Sequence, residues 1–325
     1  DKARSYESRG WTTFERCSAE LAKSYHLKVA RWKLVIDTAD EEGGAKRRLP
    51  TTPERMVELL GSRWFTNGAD KAAVIDLYRK TASNVLGTVE RLDFTSVRLS
   101  RDDVWCSPSR LAEALNYCSS LKSLYLVGAR LNDEGMEDLI GGLESGALSE
   151  LKTLALIANR LGDRGINDLI KAFDRGIAPK LEILIVTLNI FGDYGAKAFA
   201  AAIRSGRLPK SLIFFDLNAN DIGDEGALAL ASAILASGSR LRPLLALNRI
   251  RIWGQSALLQ VYETNRGISF VNFICFIFNA PWAPAPAPFL RMGARGARRG
   301  LEDVDRVVRR FGVLGSIFVV FYTIV

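Results

Sequence analysis

A segment of fifteen residues recurs four times at almost constant spacing, and this recurrence restricts the possible folds more than any other feature of the chain. The copies begin at Leu121, Leu151, Leu181 and Leu212, so they are 30, 30 and 31 residues apart. Each copy has apolar residues at its positions 1, 4, 6 and 11 and ends in a glycine. Regular spacing of this kind is typical of repeat proteins, in which one structural unit stacks on the next.

Two weaker copies extend the series. Residues 89–99 keep the apolar spacing ahead of the first clear copy. After the last clear copy, Asn248, Ile250 and Gly254 keep the relative spacing of Asn220, Ile222 and Gly226. The sequence therefore predicts about six units over residues 88–265.

The apolar period changes within each unit. Leu154 and Leu156 alternate with Thr153 and Ala155, as in a short strand. After the following glycine, apolar residues recur at helical spacing, for example in residues 166–173. One strand and one returning helix per unit predict an α/β solenoid, with a curved parallel sheet inside and helices outside.

An asparagine follows most of the predicted strands. A side-chain amide at the bend of the chain can bond to buried backbone groups of neighbouring units that would otherwise have no partner. Val97 and Ala129 occupy this position in the first two units, where we expect the ladder to be missing. The predicted structural ladder comprises Asn159, Asn189, Asn220 and Asn248.

The pattern LxxLxLxxNxL, followed by a glycine-bounded turn and an amphipathic stretch, resembles the leucine-rich repeats of the ribonuclease-inhibitor-like subtype. Repeats of this subtype also occur in NOD-like receptors and in Ran GTPase-activating proteins. The resemblance covers a little over half of the chain. It implies a non-catalytic scaffold that binds another protein on the concave face of the solenoid.

The segments around the solenoid have different compositions. We assign residues 1–44 to a fragment of an α/β segment with a linker, and residues 45–87 to a helical N-terminal cap that contains helices near residues 53–60 and 69–86. The solenoid spans residues 88–265. An apolar and Pro/Ala-rich segment follows at residues 266–290, and a basic tail with a terminal apolar run occupies residues 291–325.

The basic tail suggests two further roles. Its apolar run, residues 311–325, is about 22 Å long as a helix, which is shorter than a bilayer core of about 30 Å. Membrane association through this run, packing on the repeats and absence of any folded role all remain open. Residues 291–300 alternate arginine and glycine without aromatic residues, so we do not expect nucleic-acid binding.

Catalysis, cofactors and metals find little support in the sequence. The single histidine, His26, leaves no multi-histidine metal site, and no phosphate-binding glycine motif is present. Asp163, Asp193 and Asp224 recur at one position before each helix, where a carboxylate is favourable near the helix N-terminus. We therefore predict a non-enzymatic chain without cofactor or metal.

Charge and cysteine content set the expected compartment. The formal charge of +8 permits an acidic partner, a nucleic acid or an anionic membrane without choosing among them. The four cysteines are widely separated, unlike those of a secreted disulfide scaffold. We therefore expect a cytoplasmic protein.

The concave face should consist of the strand side chains that point away from the core. Its middle is apolar, and exposed apolar patches often bind partners. We predict a protein or peptide partner here; a GTPase-regulating repeat protein and a membrane-tethered adaptor are the alternatives, and the chain's own apolar segment could also cover this face. The predicted binding residues are Tyr125, Val127, Ile157, Ile183, Ile185, Thr187, Phe214, Asp216 and Asn218.

Overall fold

The computed structural model describes residues 8–22, 48–95, 97–239 and 241–264. His26 and the segments 266–290 and 291–325 lie outside this part. The described residues form nine helices and six strands: α1 (Gly10–Ala22), α2 (Pro53–Gly61), α3 (Asp70–Thr88), β1 (Arg91–Asp93), α4 (Pro108–Asn116), β2 (Ser123–Tyr125), α5 (Asn132–Gly142), β3 (Thr153–Ala155), α6 (Asp163–Asp174), β4 (Ile183–Ile185), α7 (Asp193–Ser205), β5 (Phe214–Asp216), α8 (Asp224–Ser237), β6 (Arg242–Leu244) and α9 (Ile252–Thr264).

The six strands form one parallel sheet in chain order, from β1 to β6. Equivalent residues of neighbouring repeats are paired, so that Leu124 lies opposite Leu154, Leu154 opposite Leu184 and Leu184 opposite Phe215. A helix follows each strand before the next strand begins. This arrangement confirms the predicted α/β leucine-rich-repeat solenoid with six strand–helix units.

A single apolar core runs along the stacked repeats. The paired residues Leu124, Leu184 and Phe215 are fully buried or nearly so. The helices contribute their apolar stripes from the other side, as Phe199 does by packing edge to face on Phe215 at a centroid distance of 4.6 Å. Each repeat therefore buries its apolar side chains against its neighbours, which no single repeat could do alone.

Helices α1, α2 and α3 precede the sheet. The hydroxyl of Thr52 accepts a hydrogen bond from the Arg55 backbone N–H, which caps the amino end of α2. Tyr78 on α3 is fully buried and donates its hydroxyl to the Thr51 carbonyl at 2.8 Å. Helix α1 packs against α2 and α3, and its Cys17 belongs to the same buried cluster.

Asparagine side chains connect successive repeats immediately after the strands. Asn189 Oδ1 accepts the backbone N–H groups of Asn159 and Leu161, both at 3.0 Å. Its Nδ2 group donates to the carbonyls of Leu156 and Val186, at 2.8 and 2.9 Å. Asn159, Asn220 and Asn248 make equivalent bonds. Buried backbone groups of one repeat are thus satisfied by the next.

The first repeat uses a local bond instead. Ala129 occupies the asparagine position in the second repeat and has no amide to offer. The Val97 backbone N–H therefore bonds to the Phe94 carbonyl of its own turn at 3.1 Å. The Leu99 N–H still reaches the Ala129 carbonyl at 2.8 Å, so the stacking of the two turns is kept.

Aspartates form a second set of connections between repeats. Asp193 Oδ1 accepts the backbone N–H groups of Gly223 and Gly226, at 2.7 and 2.9 Å. These amides belong to the start of α8, and Gly223 has no side chain with which to cap it. From the sequence we expected each aspartate to act at the start of its own helix; the structure shows that its carboxylate bonds instead to the amides that begin the next helix.

The glycines of the turns are required by this close contact. A Cβ atom on Gly226 would lie 2.6 Å from Asp193 Oδ1 and 2.8 Å from the Cβ of Ala196. Gly165 and Gly254 meet the corresponding aspartates, Asp133 and Asp224, at 2.5 and 2.8 Å. Lack of space, rather than an unusual backbone angle, therefore explains the glycine that ends each copy of the repeat.

Replacing Asn189 with alanine should destabilise the fold by about 3 kcal/mol or more, because it leaves several buried backbone groups without partners. Urea unfolding followed by circular dichroism measures the change. Asn84→Ala is the matched control, since Asn84 is exposed on α3 and its side chain makes no such bonds. Equal stabilities for the two variants would contradict a stabilising role for the asparagine.

Gly226→Ala should lower the free energy of unfolding by about 1–3 kcal/mol, because its Cβ overlaps the capping aspartate and the packed helix. Gly141→Ala makes the same change within α5, where nothing lies within 4 Å of the added atom. The control should raise stability by about 0.5–1 kcal/mol, since alanine restricts the unfolded chain. Chemical denaturation of both proteins tests the opposite signs.

Candidate functional site

The predicted binding residues lie on one face of the sheet, in three rows that cross the strands. Residues at the first position of the strands include Ile183 and Phe214, which are paired in register. The central row contains Tyr125, Ile185 and Asp216. The third row lies just beyond the strands and contains Val127, Ile157, Thr187 and Asn218.

Much of this face is less accessible than an exposed apolar patch would be. Tyr125 is 7% exposed, and Ile157 and Ile185 are each 4% exposed. Thr187 and Asp216 are also buried, whereas Val127, Ile183, Phe214 and Asn218 are half-buried. Neighbouring parallel strands are only about 4.8 Å apart, so large side chains in one row lie against each other. The half-buried positions are the accessible part of the predicted site.

At the β1 end, a basic side chain covers the aromatic ring of the central row. The guanidinium carbon of Arg91 lies 4.3 Å from the centroid of the Tyr125 ring. Arg91 also pairs with the buried carboxylate of Asp93 at 3.5 Å. Asp93 in turn accepts the backbone N–H and the hydroxyl of Thr95, at 3.0 and 2.6 Å. This end of the face is polar and internally bonded.

A second buried carboxylate, Asp216, lies near the other end of the central row and is incompletely bonded. Its Oδ1 accepts the Asn218 backbone N–H at 3.0 Å. Its Oδ2 and the hydroxyl of Thr187 have no well-formed hydrogen bond among the described residues. Burial raises the pKa of Asp216 to about 6, although the Asn218 N–H and the nearby Thr187 hydroxyl act in the opposite direction. The carboxylate is thus enclosed within the face, with the Thr187 hydroxyl as its nearest polar neighbour besides the Asn218 N–H.

Sequence reasoning overlooked the turn that follows the strands. Leu188 is 41% exposed and Ile190 is 60% exposed, beside the third row of the face. Leu188 also adopts a left-handed backbone, with φ of 58°. Its equivalents in four other turns are smaller, namely Ser96, Gly128, Ala158 and Ala219, whereas Leu247 in the last repeat is also a leucine. Comparing this position between the copies could have identified the exposed leucine.

The described residues contain no group of three or more potential metal ligands placed to share an ion. Cys17, Cys106 and Cys118 are buried free thiols. Burial raises the pKa of Cys118 to about 12, so this thiol is protonated and unreactive at neutral pH. Within the same residues, no helix has both the length and the apolar character needed to cross a bilayer.

A comparison with family models identifies the repeats. The model described as Leucine Rich repeat matches residues 117–139 and 210–231, which contain β2 and β5 with their turns and the beginnings of α5 and α8. No curated protein matches the chain. The structure and the family model together establish leucine-rich repeats, which are generally protein-interaction modules.

The raised pKa of Asp216 predicts a pH-dependent stability. Because the folded protein binds the proton more tightly than the unfolded chain, the free energy of unfolding should fall as pH rises from about 4 to about 6, by up to about 3 kcal/mol. Asp216→Asn should remove this fall and should be more stable than the wild type at neutral pH. Urea unfolding at several pH values checks both, with the exposed Asp174→Asn as the control that keeps the wild-type dependence. Parallel pH profiles of stability for all three proteins would contradict the assignment of this pH dependence to Asp216.

Proposed function

We propose that these leucine-rich repeats form a non-catalytic scaffold that binds a protein or peptide on the concave face of the sheet. The observation that carries this proposal is the mixed surface formed by the half-buried side chains of Ile183, Phe214 and Asn218. The two half-buried apolar side chains give a partner contact area, and the amide of Asn218 gives it a polar contact beside them.

The architecture supports the same function. Each strand contributes side chains to the concave face, whereas the turns that stack the repeats are occupied by asparagine and aspartate bonds. Residues of the face can therefore vary without disturbing those bonds. We further place the repeats in the ribonuclease-inhibitor-like subtype, because a strand and a full helix alternate within 30–31 residues. A cytoplasmic location fits the buried free thiols.

The test compares the same isoleucine-to-serine substitution at one position within β4 and at one position just before β5. Ile183→Ser alters the accessible part of the concave face, whereas Ile213→Ser alters an exposed isoleucine just before β5. Chains spanning residues 1–325 are used to capture partners from lysate of the source cells, followed by mass spectrometry. The partner should be retained by Ile213→Ser and lost, or bound at least about tenfold more weakly, by Ile183→Ser.

Purified partner and titration calorimetry then give the dissociation constants of both variants. Thermal unfolding of each variant shows whether the fold is kept. A charged substitution such as Ile185→Arg is unsuitable as a probe, because Ile185 is buried and an arginine there would place a charge inside the face. Equal affinities for the two serine variants, both folded, would locate partner binding elsewhere.

A further inference from the structure

Three arginines occupy the same position in three successive repeats, one residue after the asparagine position. We call Arg98, Arg130 and Arg160 the arginine row. All three are exposed. Among the described residues, none of their guanidinium groups takes part in an ion pair, a hydrogen bond or a ring contact.

Backbone hydrogen bonds hold the arginine row in register. The Leu99 N–H, next to Arg98, bonds to the Ala129 carbonyl, next to Arg130, at 2.8 Å. The Gly128 N–H, shortly before Arg130, bonds to the Ile157 carbonyl, shortly before Arg160, at 2.8 Å. The parallel pairing therefore continues past the strands, where neighbouring chains are about 4.8 Å apart. Three positive charges lie side by side along this edge of the sheet.

Basic residues at the opposite ends of the strands, in contrast, form ion pairs with glutamates. Lys122 pairs with Glu90 at 2.6 Å, and Lys152 pairs with Glu182 at 2.9 Å. Each of these pairs joins neighbouring repeats and neutralises their charges. The arginine row lacks such partners, so its like charges repel one another and oppose stacking.

At two of the three positions of the arginine row, the backbone conformation is also unfavourable. Arg130 and Arg160 have φ values of 56° and 60°, in the left-handed region that favours glycine or asparagine. A long basic side chain has no packing role at these exposed positions. The left-handed backbone recurs at uncharged residues of these turns, such as Ala158 and Ala219, but the repulsion between the three charges does not help the fold and points to a ligand that requires them.

The next repeat continues the row with apolar groups. Ile190 occupies the position that follows Arg160, and Leu188 is exposed in the same turn. One repeat further on, Asp221 pairs with Arg249 at 3.1 Å and ends the unneutralised positive charge. The surface thus changes from three free cations to an apolar patch over four repeats.

We propose that the arginine row binds an acidic segment of a protein, whose carboxylates pair with the guanidinium groups and whose apolar residue packs on Leu188 and Ile190. The four turns span about 14 Å, which corresponds to about five residues of extended chain. Guanidinium groups can bind carboxylates with two parallel hydrogen bonds each. This inference rests on the proposed function, because the segment would belong to the partner of the adjoining concave face.

The test uses fluorescence anisotropy with a labelled ten-residue peptide that contains three consecutive glutamates, a glycine and a leucine. The full chain with Arg98→Gln, Arg130→Gln and Arg160→Gln should bind it at least about tenfold more weakly than the wild type. A matched triple variant, Arg79→Gln, Arg204→Gln and Arg207→Gln, removes the same charge from α3 and from the end of α7 and should bind within about twofold. Thermal unfolding of the arginine-row variant should occur at the same or a higher temperature, because repulsion is relieved.

Ile190→Ser tests the apolar part of the site. It should weaken binding of this peptide about threefold, but leave unchanged a peptide in which serine replaces the leucine. Equal losses in the two triple variants, or no binding to the wild type, would overturn the proposal. So would tighter binding of an oligothymidylate of equal charge that is lost in the arginine-row variant, because it would identify a nucleic-acid surface.

The peptide-binding test and the test of the concave-face proposal can fail independently of each other. If the peptide fails to bind while Ile183→Ser still loses the partner, only the arginine-row proposal fails. If the peptide binds as expected while Ile183→Ser keeps its partner, the concave face is wrong and the edge of the sheet is the binding site.

Discussion

Buried backbone groups at the turns must find hydrogen-bond partners, and in this protein neighbouring repeats provide them. The amide of Asn189 bonds to backbone groups on both sides of its own turn, and the carboxylate of Asp193 bonds to the amides that begin the next helix. An isolated repeat would leave these groups unsatisfied inside an apolar environment, at a substantial cost in free energy. The repeats therefore depend on stacking for their polar groups as much as for their leucines.

This dependence determines which positions are available for function. The asparagines, the aspartates and the glycines of the turns are fixed by contacts between repeats, since even a methyl group on Gly226 would meet Asp193. Among the described residues, the side chains of Ile183, Phe214 and the arginine row make no such bonds between repeats. The candidate binding groups lie at positions where the residue type varies between repeats, as it does at the position of Phe214 and at that of the arginine row.

The two sets of charges on the sheet show how the fold separates stability from binding. At one end of the strands, lysine and glutamate side chains pair across repeats and support stacking. At the other end, the arginine row has no acidic partner among the described residues, and the repulsion between its charges opposes the stacking of the repeats. A protein that retains an unfavourable arrangement at one edge, while neutralising its charges at the opposite edge, has a surface suited to an oppositely charged partner.

The sequence alone determined the repeat length, the order of strand and helix, and the residues that face the core, because all of these follow from the periodic spacing of apolar side chains. It also identified the asparagine position, since the same residue recurs at one place in the period. Only the tertiary structure showed that each aspartate caps the following helix and that Tyr125, Ile157 and Ile185 are buried within their own face. It also showed that three arginines share one edge without acidic partners among the described residues. These features depend on distances between residues about 30 positions apart in the chain. Such distances are set by how the repeats stack, and the sequence of a single repeat does not contain them.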